Sequence, residues 1–393
     1  MDNQDQMPSR PPFWNDPDKR ALIFQAIVLA AVFAFFAYIF SNTLHNLEKR
    51  GISTGFDFLN NEAGFGILMS LIPYDETYTF GRTFLVGLLN TLLVSFLGII
   101  LATVLGFIIG VARLSNNWLI AKIATVYIET FRNIPLLLQI LFWYFAMLPL
   151  LPHPRQSVNF GEAFFLNSRG LYLPAPLFES AFLWVLATLF VAIIAVVILV
   201  RWAHRRQAAT GQPFHTFWVS LAILVALPAA AFVITGMPLD WDLPELKGFN
   251  FRGGMTIIPE LAALLLALSI YTAAFIAEIV RSGIQAVSHG QTEAAYSLGL
   301  RPGKTLQLVI IPQAMRVIIP QLTSQYLNLT KNSSLAAAVG YPDLVAVFAG
   351  TTLNQTGQAV EIIFMTMMVY LTISLLISLF MNWYNKKMAL VER

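Results

Sequence analysis

The residues best suited to chemistry in this sequence do not assemble a catalytic set. Its five histidines, His45, His153, His204, His215 and His289, are scattered without the spacing of metal ligands, so no metal is expected. Cysteine is absent, which removes thiol catalysis, disulfides and thiolate-bound metals. Gly303-Lys304-Thr305 copies the end of a phosphate-binding loop. Leu298 stands where that loop needs its first glycine, and no strand pattern precedes it. No Ser/His/Asp arrangement stands out. The polar residues that do form a pattern lie between Ser288 and Pro312, in SHGQTEAAYSLGLRPGKTLQLVIIP. Their pattern is one of docking, not catalysis.

Long apolar runs flank that stretch, yet it holds Glu293, Arg301 and Lys304, so it must sit outside hydrocarbon at one membrane face. Ser288 and Gln291 have capping-box spacing, and Glu293 is expected in the first helical turn, where the helix dipole favours an anion. Ala294, Ala295 and Leu298 form an apolar stripe at helical spacing. Gly299 is a natural stop, and Arg301-Pro302-Gly303 turns the chain into a second short helix. A short-helical loop between two spans suggests a docking element for a partner outside the membrane.

The elements that position this loop follow from composition. Of 393 residues, 57% are hydrophobic and 11% charged, against about 25% charged in soluble chains. The sequence predicts an all-α, polytopic membrane protein of about eight transmembrane helices. The net charge of +3 comes from loop Lys and Arg and argues topology, not nucleic-acid binding. The expected organisation is a tail at 1–20, a helix at 21–40 read as a retained signal anchor, an ordered polar segment at 41–82, and two helices at 83–150. A proline-rich loop at 151–178, a transmembrane hairpin at 179–236 and a loop at 237–257 follow. Residues 258–387 hold the last spans with the docking loop at 288–312, before a tail at 388–393. The spans within this scheme are expected at 83–112, 118–147, 179–200, 215–235, 258–280, 312–339 (broken) and 362–384.

Lysine and arginine orient the chain. With the N-terminus in the cytoplasm, the inside holds Lys19, Arg20, Arg113, Arg201, Arg205, Arg206, Arg281, Arg301, Lys304, Lys386 and Lys387. The outside holds Lys49, Arg50, Arg82, Arg155, Arg169, Lys247 and Arg252. Both termini and the docking loop are thus expected in the cytoplasm, and the 41–82, 151–178 and 237–257 segments in the periplasm. No internal repeat stands out, which weighs against a secondary transporter built from inverted repeats.

Charges near membrane depth need a cavity, an interface or a partner. Glu129 and Arg132 share a helical face and would either pair structurally or shape a gate. Glu278 and Arg281 repeat the spacing and read as an interfacial pair. Lys331 has no carboxylate within a turn in sequence, which favours a pathway or subunit-interface role. Asn90, Thr91, Ser95, Gln139, Tyr271 and Thr272 are polar residues within spans. Gln321, Ser324, Gln325 and Asn328 form one polar stripe. Singly such residues serve as helix–helix glue; as a set they read as the lining of a substrate path. Pro135, Pro312 and Pro320 remove backbone hydrogen bonds, fitting either a moving gate or a static kink.

Several of these residues also carry a family resemblance. Glu293-Ala294-Ala295, three residues, Gly299, nine residues and Val309-Ile310-Ile311-Pro312 resemble the EAA loop of ATP-binding-cassette (ABC) importer permeases, with Val309 and Ile311 in place of that pattern's Ile and Leu. Tyr271–Arg281 (YTAAFIAEIVR), Ser282-Gly283-Ile284 and Gly290-Gln291 resemble the polar-amino-acid branch. So do Phe131–Gln139 (FRNIPLLLQ) and Leu329–Leu335 (LTKNSSL). With its extra first helix and inserted hairpin, the chain looks most like the larger, Q-type permease subunit of the general L-amino acid importers of proteobacteria.

That resemblance implies a type I, MetI-like permease core of five helices, to which the first helix and the hairpin are additions. It implies ATPase coupling through Gln291, Glu293, Ala294, Ala295, Gly299 and Arg301. The implied function is ATP-driven import of L-amino acids across the bacterial inner membrane by alternating access. The implied partners are a second related permease, a cytoplasmic ATPase dimer and a periplasmic amino-acid-binding protein. The chain itself would be no enzyme and carry no cofactor; ATP and Mg would sit on the ATPase. A scaffold permease without its own complete substrate site is the main alternative, ahead of an ion-coupled secondary transporter.

Overall fold

The computed structural model describes residues 16–49, 51, 54–161, 163–248 and 250–388. Most of the expected tail at 1–20, the C-terminal tail past 388 and Arg50 lie outside the described residues. Long apolar runs form helices because each helix satisfies its own backbone in hydrocarbon. The helices in chain order are α1 (Pro17–Lys49), α2 (Phe80–Arg113), α3 (Trp118–Asn133), α4 (Leu136–Met147), α5 (Phe182–Thr210) and α6 (Thr216–Ile234). They continue with α7 (Pro259–Gln285), α8 (His289–Ser297), α9 (Pro302–Thr305), α10 (Ile311–Asn332), α11 (Leu353–Thr356) and α12 (Ala359–Met388). Among the described residues seven helical segments can each cross a membrane, or eight if the bent pair α3–α4 counts as one span. The all-helical membrane class and the number of spans are as expected.

Two expected spans differ in detail. The third is not one helix: α3 and α4 meet at a 105° bend around Ile134-Pro135. Proline cannot donate to the preceding turn and disfavours helix in the residue before it. The seventh is less broken than expected. From Pro302 the chain runs through α9, a π-helical segment (Leu306–Ile310) and α10, and it continues as a 3-10 helix to Val339. The π segment lies directly before Pro312, and Pro320 is carried inside α10.

The chain divides into two compact units, with the divisions falling inside α2 and α10. The first holds the described residues up to Leu93, Tyr326–Ala337, and the chain from Pro342 onward. Its α1 leaves large apolar side chains exposed along its length, from Leu22 to Phe40. From Gly55 onward the segment before α2 packs against later parts of this unit. Phe58 and Phe80 pack with Leu344, Phe348 and Ile362 in one buried cluster, with the Phe58 and Phe348 rings 6.2 Å apart. The amide of Gly55 donates to Glu361 at the start of α12 (2.8 Å). Asp343 caps a π-helical segment (Val345–Thr352) by accepting from the Ala346 amide at 2.8 Å.

The second unit holds Val94–Gln325 and Ala338–Tyr341. Here α2 crosses α7 through small residues. A Cβ on Gly106 would lie 2.5 Å from Ile276, and one on Gly110 would lie 2.7 Å from the Ala277 carbonyl. This is close helix approach through a Gly-x-x-x-Gly edge. The inserted hairpin is the antiparallel pair α5–α6, and it stands on β structure that the sequence reading left as loops. β1 (Val158–Phe160), β2 (Phe164–Asn167), β3 (Gly170–Leu173) and β4 (Ala175–Phe178) precede it. β5 (Leu239–Asp242), β6 (Glu245–Lys247), β7 (Asn250–Arg252) and β8 (Met255–Ile257) follow. One antiparallel sheet runs β1-β2-β3-β8, and β4 pairs with β5. Leu173 faces Met255 and Phe178 faces Leu239, so the chain leaves and returns side by side.

Candidate coupling helix and polar path

The Ser288–Pro312 stretch folds as two short helices joined by a tight turn. Ser288 is the N-cap of α8, but its side chain makes no capping bond. The expected capping box is absent because Gln291 is engaged elsewhere: its Oε1 accepts from Nε2 of Gln313 on α10 (3.1 Å). Glu293 lies beyond the first turn of α8, contrary to expectation. It is exposed, and its Oε1 is 3.1 Å from Nδ1 of His289 one turn earlier.

The C-terminal stop forms as expected. Gly299 has φ +76°, a backbone region that glycine enters without strain. The Leu300 amide donates to the Ala295 carbonyl (3.1 Å) and the Gly299 amide to Tyr296 (2.9 Å), closing a Schellman motif. Arg301 then occupies the N-cap position of α9, without a side-chain bond, and Pro302 stands in the first turn. The expected apolar stripe divides: Ala295 is buried at 3% exposure, while Ala294 and Leu298 are exposed. The exposed surface of this loop includes His289, Gln291, Glu293, Ala294, Tyr296, Leu298, Arg301 and Lys304, one acid and two bases among polar and apolar groups.

Behind it lies a charge cluster whose centre the sequence reading missed. Arg113, the last residue of α2, is ion-paired with Glu278 of α7 and lies 3.6 Å from Glu129 of α3. Glu278 also holds Arg281, whose Nε lies 3.1 Å from Oε2. The expected Glu278–Arg281 pair thus exists within a larger group. Glu129 and Arg132 do not pair: Arg132 sits over the Phe275 ring, 5.2 Å from its centroid. Four carboxylate and guanidinium groups tie three helix ends together. Arg113 is a terminal basic residue in sequence, and nothing within α2 marks its partners.

The polar residues within spans separate into two kinds. Asn90 is fully buried and donates to the Met69 (2.9 Å) and Pro342 (2.8 Å) carbonyls. Thr91 donates to Gly87 and accepts from the Leu344 amide (3.0 Å). Gln139 donates to the Phe131 (2.9 Å) and Ile134 (3.0 Å) carbonyls, capping the turn left open at Pro135. These side chains are spent on backbone groups that need partners in hydrocarbon. Ser95 and Thr272 are buried, and the Ser95 hydroxyl has no partner among the described residues. Tyr271 is half-buried with its ring 4.9 Å from Phe275.

The stripe on α10 is the second kind. Gln321, Ser324, Asn328 and Lys331 are all exposed, with Gln325 half-buried at its edge. At 100° per residue the four exposed members lie within an arc of roughly 80°. The opposite side of the helix is buried, with Ile318, Ile319 and Leu322 at 3% exposure or less. Lys331 makes no ion pair among the described residues. A transmembrane helix that keeps a polar stripe outside its own chain's core requires water or another protein on that side.

The class of protein follows from similarity to known proteins. Residues 211–390 match the family described as binding-protein-dependent transport system inner membrane component. The permease protein YhdX of Escherichia coli is 58% identical over 378 residues, covering 96% of each chain. The general L-amino acid transport system permease protein AapQ of Rhizobium johnstonii is 54% identical, covering 96% of this chain and 94% of its own. The glutamate/glutamine/aspartate/asparagine transport system permease protein BztB of Rhodobacter capsulatus is 48% identical, covering 95% of each. The chain belongs to the family of amino-acid ABC transporter permeases. It is thus a multi-pass membrane subunit and not an enzyme. Family membership brings an ATPase on separate subunits and a binding protein as its partners.

Proposed function

We propose that this chain is one permease subunit of an ATP-driven importer that carries L-amino acids inward across the bacterial inner membrane. It works beside a second, related permease, with both termini in the cytoplasm. A cytoplasmic ATPase dimer, which alone binds ATP and Mg, docks on α8 and its flanks. A periplasmic amino-acid-binding protein delivers substrate to the opposite face. The observation that carries the reading is the uncovered stripe of Gln321, Ser324, Asn328 and Lys331 on α10. Amide, hydroxyl and ammonium groups suit a zwitterionic amino acid, and a stripe outside this chain's own core leaves half of a path for a partner to complete.

The charge cluster is consistent with alternating access. Arg113, Glu278 and Glu129 fasten the ends of α2, α7 and α3, so movement of α8 reaches a group of helices that shifts as one body. Asn90 and Gln139 serve the permease by holding the chain, not by touching substrate. The deciding experiment reconstitutes the whole importer in proteoliposomes and follows amino acid uptake with Glu293→Arg. Uptake dependent on the ATPase and lost in E293R supports the reading. Uptake that persists without any ATPase overturns it.

A further inference from the structure

Beside the docking helix the second unit holds two cavities of about 720 Å³ each, and Leu114, Asn116, Ile284 and Leu306 line both. They therefore adjoin across a shared wall, as two ends of a groove, the first apolar and the second mixed. The first end is lined by Ile108, Val111, Ile120, Ile311, Met315 and Ile318, from α2, α3 and α10. Its floor is dry, with Val280, Ala314 and Ile318 at 2% exposure or less. Its rim is open: Ile108 is 61% exposed and Val111 49%. The second end is mixed: Asn116, Gln285, Ser288, His289 and Thr292 stand among apolar residues such as Val287 and Ile310, with no carboxylate among its lining residues. His289, Thr292 and Tyr296 recur at helical spacing, so this end lies against one face of α8 itself.

We infer that this groove holds a phospholipid of the cytoplasmic leaflet, with an acyl chain in the apolar end and the phosphate ester beneath α8. The orientation rests on the proposed function above. A water-borne solute gains nothing from the apolar end, and a partner's apolar helix finds no match in the amide, hydroxyl and imidazole groups of the other. An amphiphile satisfies both ends, and the bilayer supplies it at high local concentration. The Ser288 and Thr292 hydroxyls and the Asn116 amide suit phosphate oxygens, while His289 stands 3.1 Å from Glu293 on the outer side of α8. The groove uses Ile311, Ala314, Met315 and Ile318 of α10, at i, i+3, i+4 and i+7, a different face from the polar stripe. The lipid would thus support the docking helix from behind without entering the substrate path, and its occupancy would set how firmly α8 transmits motion.

The test is photolabelling of the assembled importer, both permeases and the ATPase together, in nanodiscs carrying phosphatidylglycerol with a photoactivatable acyl chain. Labelled peptides are mapped by mass spectrometry. Labelling is expected to concentrate on 107–120 and 306–318. Val111→Trp and Ile120→Trp, which fill the apolar end, should each lower it about tenfold, the effect of ~1.4 kcal/mol of lost binding. Ile123→Trp, an exposed apolar position outside the groove, should leave it unchanged. Two cavity variants guard against one that fails to assemble, and each is used only if it co-elutes with its partners. Even labelling across all lipid-facing helices, or labelling indifferent to both cavity variants, overturns the inference, as does absence of label because the second permease covers the groove. Labelling does not depend on transport, so a failed uptake assay with focused labelling would count against the proposed function alone.

Discussion

Arg113 and Glu278 stand 165 residues apart in the chain and form an ion pair between the end of α2 and the C-terminal part of α7. Their side chains are 19% and 25% exposed, and Glu278 serves Arg281 as well. Removing the carboxylate leaves two guanidinium groups short of a partner in a half-buried place. Glu278→Gln should therefore destabilise the permease by about 1–3 kcal/mol, read as a lower melting temperature of the detergent-purified complex. Because Glu129 and Arg281 flank the pair, the matching test is a double-mutant cycle: Arg113→Gln with Glu278→Gln should cost less than the sum of the two single variants. Strict additivity would dismiss the pair as a fastener.

Gly299 closes α8 with φ +76°. Gly299→Ala forces a side chain into the left-handed region at a cost of about 1–2 kcal/mol. The expected result is normal assembly of the permease in the membrane but reduced uptake per ATP hydrolysed, since the end of the docking helix loosens. Unchanged coupling would show that the Schellman closure is dispensable.

The contact between α2 and α7 depends on having no side chain at Gly106 and Gly110. Gly110→Leu should push the helices apart and cost about 1–3 kcal/mol or more through overpacking. Membrane yield and thermal stability should both fall. Gly303→Ala, where nothing lies within 4 Å of an added Cβ, is the matched control and should be silent in stability.

Polar residues of the two kinds should respond differently to substitution. Asn328→Leu and Gln321→Leu should raise the apparent KM for uptake or change which amino acids compete, with stability unchanged. Asn90→Leu and Gln139→Leu should do the reverse. They leave backbone carbonyls unpaired, about 1–3 kcal/mol each, with selectivity intact in the protein that still folds. Competition assays in proteoliposomes alongside thermal unfolding separate the two patterns.

The contrast between Asn90 and Asn328 shows what the sequence makes legible. Both read as polar residues within spans, and neither periodicity nor composition distinguishes a side chain bonded to the Pro342 carbonyl from one left uncovered. The α8 stop was legible because Gly299 acts locally, through its own φ. The capping box was not, because Gln291 found Gln313 across a turn of chain. Pro135 announced a break, but a 105° bend depends on how Gln139 and the α7 contacts hold the two arms. Strands of three or four residues, too short to show alternation, were invisible; their pairing across the hairpin is a tertiary fact.

The pairing of Leu173 with Met255 has a consequence for how such a protein can change. A long excursion normally costs the entropy of bringing its ends together. Here β3 and β8 hold the ends at adjacent backbone positions, so changing the length between them should alter the closure cost only slightly, about 0.6 kcal/mol per doubling. The site behaves as a socket: a hairpin, a shorter turn or a foreign domain plugged in there meets the same two strands, and the machine beneath keeps its register.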